Sequence, residues 1–386
     1  MLPYLFIFFI TAIIAFVRFN SKKKVSPYLF GLYVFALAVF VGIGDMLGGY
    51  DRYIYGDVFT SYSERIAKGE GFFNDLFMMY SQKEPAYGLL IEVLGLVSPN
   101  RYYFIIVFTL LVYAIYGICF YRYTEKPFFA LVIFLGMMFF FTFTYFRQIL
   151  AVGIIWLALP YYTQRKKWKY FAMVALATMT HNSGAIMAIL YFIPLKKWKI
   201  NWIIPVMIVL LGLGLIGVGS LFSFAGSMTG AETFHEHAGA AEYGFRYEYV
   251  LESAVFLYLL FQNYRYINTD KESLSHLNLY LLFCGILLFF CKSGDGGRIA
   301  WYGIMGIIIM LTQFCKLKSG AGLRAFLTLM FFVLYFRILY AWGIQLYPYK
   351  TCFTNGVREG DIIYERYEYD ERYAEDKFYN LFPENQ

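Results

Sequence analysis

The chain has 386 residues, of which 60% are hydrophobic and 15% charged, and a formal net charge of +7. That apolar content exceeds what a soluble domain of this length needs, and many apolar runs approach the ~20 residues that carry a helix across a bilayer. The runs are continuous rather than alternating, which excludes a β-barrel. The positive balance does not point to nucleic acid, because the basic residues cluster in short loops between apolar runs. The five cysteines (Cys119, Cys284, Cys291, Cys315, Cys352) show no paired spacing, so neither a disulfide framework nor a zinc site is expected. The expected fold class is an all-α polytopic membrane protein.

In chain order, residues 2–19 are the first expected span. No basic region or small-residue cleavage site accompanies it, so it reads as a retained span and not a signal peptide. The lysines at 22–24 place the next loop in the cytoplasm and the N-terminus outside. Residues 27–47 return outward to an external loop, 48–83, that contains Asp51 and Tyr55. Residues 84–98 are apolar but too short to span comfortably, and read as a re-entrant or interfacial helix with Pro85 in its first turn.

Residues 103–120 go in, 128–144 come out, and the helix that follows begins at Arg147. Between Phe128 and Gln164 this arginine is the one charged residue. Residues 170–195 have lysine clusters at both ends and His181-Asn182-Ser183-Gly184 in the middle. A hairpin of two half-helices entering from the cytoplasm, with His181 near its tip, satisfies the charge rule better than a single span. Spans are then expected at 202–222, 249–266, 277–291, 299–315 and 325–342. Between the first two lies an external loop, 223–247, that carries His235-Glu236-His237. Residues 344–386 form an acidic external tail after a membrane domain of residues 1–343. The sum is about ten spans plus re-entrant segments, with both ends outside.

This topology gathers the unusual polar residues toward the outer surface. An arginine within lipid costs at least ~2.5–3.5 kcal/mol unless compensated, and it cannot shed its proton. Arg147 therefore needs an acidic partner, a wet cleft or an anionic ligand. Arg147 and Arg298 each open a helix from the outside, where free N–H groups favour phosphate. Thr144 is the expected cap of the Arg147 helix. Gly296-Gly297 is expected to let backbone amides approach an anion closely. Tyr302 shares a helix face with Arg298. The competing reading of each arginine is an ion pair that only locks helices together.

Asp51 and Glu84 are the acidic candidates, because glycosyl transfer to a hydroxyl needs a base; the plainer readings are a turn cap and a helix-start residue. His181 is a base, a ligand for phosphate or sugar, or a polar residue holding a helix break. His235 and His237 lack further ligands at a recognisable spacing, so no metal is expected. External tyrosines, Tyr55 among them, are candidates to stack on sugar rings.

Taken together these elements resemble the EpsG/Wzy-like family of bacterial polysaccharide polymerases, which make O-antigen, capsule or exopolysaccharide. Gly49-Tyr50-Asp51-Arg52-Tyr53-Ile54-Tyr55 is similar to the family's Gly-x-Asp-x-x-x-Tyr, with Tyr50 where a small residue is common. Glu84-Pro85-Ala86-Tyr87 is similar to Glu-Pro-x-Tyr, and Arg147-Gln148-Ile149-Leu150-Ala151 to Arg-Gln-x-x-Ala. His181-Asn182-Ser183-Gly184 is similar to His-x-Ser-Ala, with Gly in place of Ala. Gly297-Arg298-Ile299-Ala300-Trp301-Tyr302 is similar to Gly-Arg-x-x-x-Tyr.

The resemblance implies a fold related to C-type membrane glycosyltransferases, in the bacterial cytoplasmic (inner) membrane with the site facing the periplasm or exterior. It implies transfer of a glycan from undecaprenyl pyrophosphate to the non-reducing end of a lipid-linked repeat unit, without a cofactor. Arg147, Gln148, Arg298, Tyr302 and Tyr55 would bind substrate, and Asp51, His181 and Glu84 would be the catalytic candidates. A flippase and a chain-length regulator are the expected protein partners. Competing functions are a glycosyltransferase using a polyprenyl-phosphate sugar, a flippase or transporter of the same lipid and, more distantly, a membrane O-acyltransferase.

Overall fold

A computed structural model describes residues 1–21, 23–49, 51–69, 84–217, 244–317 and 320–354. His235-Glu236-His237 and the tail from residue 355 lie outside the described residues. Local sequence explains where several helices start. Proline stands in the first turn of Pro27–Gly42, Pro85–Gly95 and Pro127–Met137, where its missing N–H has no intrahelical partner to lose. Asn100 caps Arg101–Tyr123, its Oδ1 accepting from the N–H groups of Tyr102 at 2.8 Å and Tyr103 at 3.2 Å. Asp270 caps Lys271–Phe289 by accepting from the Ser273 N–H at 2.9 Å.

Among the described residues, five helical stretches are long and apolar enough to cross a membrane: Leu2–Phe19, Arg101–Tyr123, Lys271–Phe289, Gly296–Phe314, which passes through a 3-10 turn at Trp301–Gly303, and Gly320–Ala341. Pro27–Gly42, Pro127–Met137 and Ile200–Ile216 are apolar but shorter. The expected span at 128–144 is not one helix: it stops at Met137 and continues as a 3-10 turn, Phe140–Phe143. Pro85–Gly95 covers about 16 Å at 1.5 Å per residue, roughly half of a ~30 Å hydrocarbon core, in keeping with a re-entrant or interfacial segment.

The chain forms two compact units. The first comprises Met1–Leu157, Met173–Ala185 and Lys318–Gln386; the second comprises Ala158–Ala172 and Ile186–Leu317. At the centre of the first is Pro127–Met137, every residue of which is buried. Leu2–Phe19 and Gly320–Ala341 pack on it, the latter at Gly136, where a Cβ would lie 2.6 Å from the Phe331 Cβ. Pro27–Gly42 lies along Arg101–Tyr123, and Gly117 meets Val34 in the same way at 3.0 Å. Small residues at such crossings let helices approach closely where lipid supplies no hydrophobic drive. Beyond the last long helix the chain returns to this unit. The Cys352 N–H donates to the Ile43 carbonyl at 2.8 Å, and Tyr349 stacks on Phe40 at 4.3 Å.

In the second unit, Lys271–Phe289 is flanked by Ile200–Ile216, Tyr247–Asn263 and Gly296–Phe314. Two of its buried polar side chains bond to the end of Phe146–Thr163: Ser275 to Thr163 at 2.8 Å, and Asn278 Nδ2 to the Tyr162 hydroxyl at 2.8 Å. On the outside of both units stand large apolar side chains such as Phe6, Ile13, Val17, Trp202, Ile208 and Val333. A surface of that kind suits lipid rather than water.

The break at His181 is real. Lys167–Thr180 ends there, and the chain continues through the 3-10 stretch Asn182–Met187 into Ala188–Phe192. Near the tip, Gly184 presses on its own hairpin: a Cβ would lie 2.8 Å from the Ala177 carbonyl carbon. At the base, Tyr170 and Phe171 meet Tyr191, and the Tyr170 hydroxyl donates to the Met187 carbonyl at 2.6 Å. The segment doubles back on itself, as the lysines at its two ends suggest.

Candidate active site

Four segments far apart in sequence meet in the first unit. Arg147 lies in the first turn of Phe146–Thr163. Its Nη1 is 2.5 Å from Glu84 Oε2, and its Nε donates to the Tyr55 hydroxyl at 3.3 Å. The other carboxylate oxygen, Glu84 Oε1, accepts from the Asn182 N–H at 3.2 Å. Glu84 is thus the bridge between the Arg-Gln helix and the His181 hairpin. The Glu84 side chain is only 5% exposed, whereas that of Arg147 is 32% exposed. The carboxylate is sunk behind the arginine, whose side chain stays half-exposed. The ion-pair reading of Arg147 is therefore correct as geometry, and it leaves the arginine accessible.

Tyr55 does not present its ring to a sugar. It is buried, stacked on Phe146 at 5.1 Å and edge-on to Tyr87 at 6.3 Å. The Arg147 Cζ lies 5.8 Å from its ring centroid. The role this packing gives Tyr55 is to hold Arg147. Its phenol is pushed above the ordinary value by burial, drawn down by Arg147 and raised again by Asp51 and Glu84. The hydroxyl therefore feels all three charges of the cluster.

Asp51 immediately precedes Arg52–Ala67, and its side chain makes no capping bond to that helix. Instead its own N–H donates to Thr144 Oγ1 at 2.8 Å. Thr144, expected to cap the Arg147 helix, anchors the start of the Asp51 helix across 93 residues. Gly49 makes this possible: a Cβ there would stand 2.8 Å from the Thr144 Cβ and 3.2 Å from the Phe143 carbonyl oxygen.

The sequence reading missed Arg52. It is fully buried, its Nη2 donates to the carbonyls of Gly42 and Gly44 at 2.9 Å each, and buried Asp45 faces it electrostatically. It fastens the end of Pro27–Gly42 to the turn that carries Asp51. The signal available in the sequence was an arginine three residues after Gly49 with an aspartate seven residues before it.

The Gln148 side chain is buried and donates to Ser183 Oγ at 3.3 Å. Ser183 Oγ lies 2.7 Å from His181 Nδ1, and the Ser183 N–H also reaches Nδ1 at 3.3 Å. Asp51, Tyr55, Glu84, Arg147, Gln148 and His181 thus share one neighbourhood of the first unit.

Arg298 and Tyr302 belong to the second unit. Arg298 pairs with Asp295 on the five-residue helix Gly296–Ala300. The two glycines allow close packing: a Cβ at Gly296 would meet the Phe290 Cβ at 2.6 Å, and one at Gly297 the Tyr249 ring at 3.1 Å. Tyr302 is fully buried in a 3-10 turn.

The EpsG family matches residues 28–351. The chain belongs to the EpsG family. No curated protein and no solved structure matches it. Membership bears out the resemblance carried by the five short elements, and it makes this EpsG-family chain a membrane protein of polysaccharide biosynthesis.

Proposed function

We propose that this EpsG-family protein polymerises lipid-linked repeat units at the outer face of the cytoplasmic membrane. A hydroxyl at the non-reducing end of one unit attacks the anomeric carbon of a glycan held on undecaprenyl pyrophosphate. The new glycosidic bond forms as the carbon–oxygen bond to the diphosphate breaks, and the diphosphate departs with the electron pair. The acceptor proton passes to the Asp51 carboxylate, which the turn before Arg52–Ala67 brings beside Tyr55 and the Arg147–Glu84 pair. Arg147 meets the charge that grows on the leaving diphosphate. Glu84 and Tyr55 hold that guanidinium in place, so Glu84 is a positioning residue and not the base.

The observation that carries this reading is the Glu84 bridge, which ties Arg147 to the His181 hairpin while the arginine stays accessible. A lock between helices has no need of a half-exposed arginine. In cells, Arg147→Ala is expected to abolish polymer while single repeat units still reach the surface. Wild-type chain length in that strain would contradict the assignment. A product extended by one sugar instead of a ladder would favour a monosaccharide transferase.

A further inference from the structure

His181 has stood so far as either a base or a ligand. A main-chain N–H can only donate, and that of Ser183 is directed at His181 Nδ1 from 3.3 Å. Nδ1 therefore carries the lone pair. The Ser183 hydroxyl lies 2.7 Å from the same nitrogen and accepts from Gln148 Nε2 at 3.3 Å, an arrangement that lets it turn its proton to Nδ1 as a second donor. In a neutral imidazole with Nδ1 as acceptor, the proton resides on Nε2. Gln148 is buried behind this pair, and His181 itself is half-exposed. Glu84 fixes the same tip from the other side through the Asn182 N–H, beside Arg147.

We infer that His181 is a hydrogen-bond donor through Nε2–H to the departing diphosphate, and that Gln148 and Ser183 are positioning residues that set its tautomer. This rests on the polymerase reading for the identity of the anion, and not for the tautomer. Nδ1, the one basic nitrogen of the neutral ring, is occupied by Ser183, so proton abstraction falls to Asp51.

Glutamine and asparagine separate the roles, because a Gln amide nitrogen falls near the place of Nε2 and an Asn amide near that of Nδ1. The test uses the purified full-length chain with farnesyl diphosphate as the probe. His181→Gln is expected to bind the probe within about threefold of wild type, whereas His181→Asn weakens binding by about tenfold, the size expected for one hydrogen bond to a charged group. Equal loss in both variants would overturn the inference while wild-type binding still upheld a diphosphate site. Failure of the wild type itself to bind would sink the diphosphate reading and the donor role together.

Nitrogen-15 NMR of histidine-labelled protein decides the tautomer separately, with the His181 signals assigned by their absence in His181→Gln. At a pH of about 8.5, where an ordinary histidine is neutral, Nε2 is expected to be protonated and Nδ1 bare. A protonated Nδ1 would refute the inference whatever the binding result. Ser183→Ala and Gln148→Ala leave the Ser183 main-chain N–H in place and remove only the side-chain support, so they are expected to weaken the preference for Nε2–H without abolishing it or unfolding the chain, a change that a purely structural role would not produce.

Discussion

At the scale of single residues, the account turns on how one carboxylate divides its oxygens. Glu84 gives one to Arg147 and the other to the Asn182 N–H. Glu84→Gln keeps the size and removes the charge, so an amide group would face the guanidinium. Breaking a mostly buried ion pair whose arginine stays in contact with solvent should destabilise the protein by about 1–3 kcal/mol. Moving a transition-state ligand by about an ångström should slow transfer on the order of a hundredfold. Thermal denaturation and rate measurements on the purified variant check both. Wild-type rates in Glu84→Gln would remove Glu84 from the site. None of this pairing was readable from the residues alone: Arg147 needed compensation on energetic grounds, but nothing in a linear chain says which acid 63 positions away supplies it.

Between residue and molecule lie the elements, and here glycine is the informative type. Gly49 lets the turn that bears Asp51 settle on the Phe143–Thr144 backbone. Gly49→Ala puts a carbon 2.8 Å from the Thr144 Cβ, and the turn must lift at a cost of about 1–3 kcal/mol. Transfer is expected to fall while diphosphate binding, which depends on Arg147, stays near wild type. Gly31→Ala, with nothing within 4 Å of the added carbon, serves as the silent control. Equal transfer rates in the two variants would contradict the role given to the Asp51 turn.

The glycines also mark where sequence reasoning stops. Gly296-Gly297 signals a close approach, and Phe290 and Tyr249 come close there, neighbours that two glycines cannot name. The hairpin at 170–195 was legible because charge at its two ends and a polar break in its middle both constrain it. The split of 128–144 into a helix and a 3-10 turn was not, because its residues are uniformly apolar and carry no local stop signal. The order of the short motifs was legible too, and the convergence of the first four in one unit was not, since it depends on long-range packing around Pro127–Met137 and Arg101–Tyr123.

For the whole molecule, the expectation to test is orientation. Asn182 is exposed beside Glu84, and Lys199 is exposed in a different loop. The five native cysteines are all buried, so background labelling should be low. A membrane-impermeant maleimide should modify Asn182→Cys in intact spheroplasts, and Lys199→Cys only after permeabilisation. The reverse pattern would turn the site toward the cytosol, where no departing diphosphate of an exported glycan is found.

The most direct measurement is incubation of the purified chain with a synthetic undecaprenyl-diphosphate-linked repeat unit, with the products resolved by size. A ladder of lengthening glycans from the wild type, and no ladder from folded Arg147→Ala, is the predicted result. Ladders of equal length from both proteins would show that Arg147 does not serve the transfer, and the account would fall.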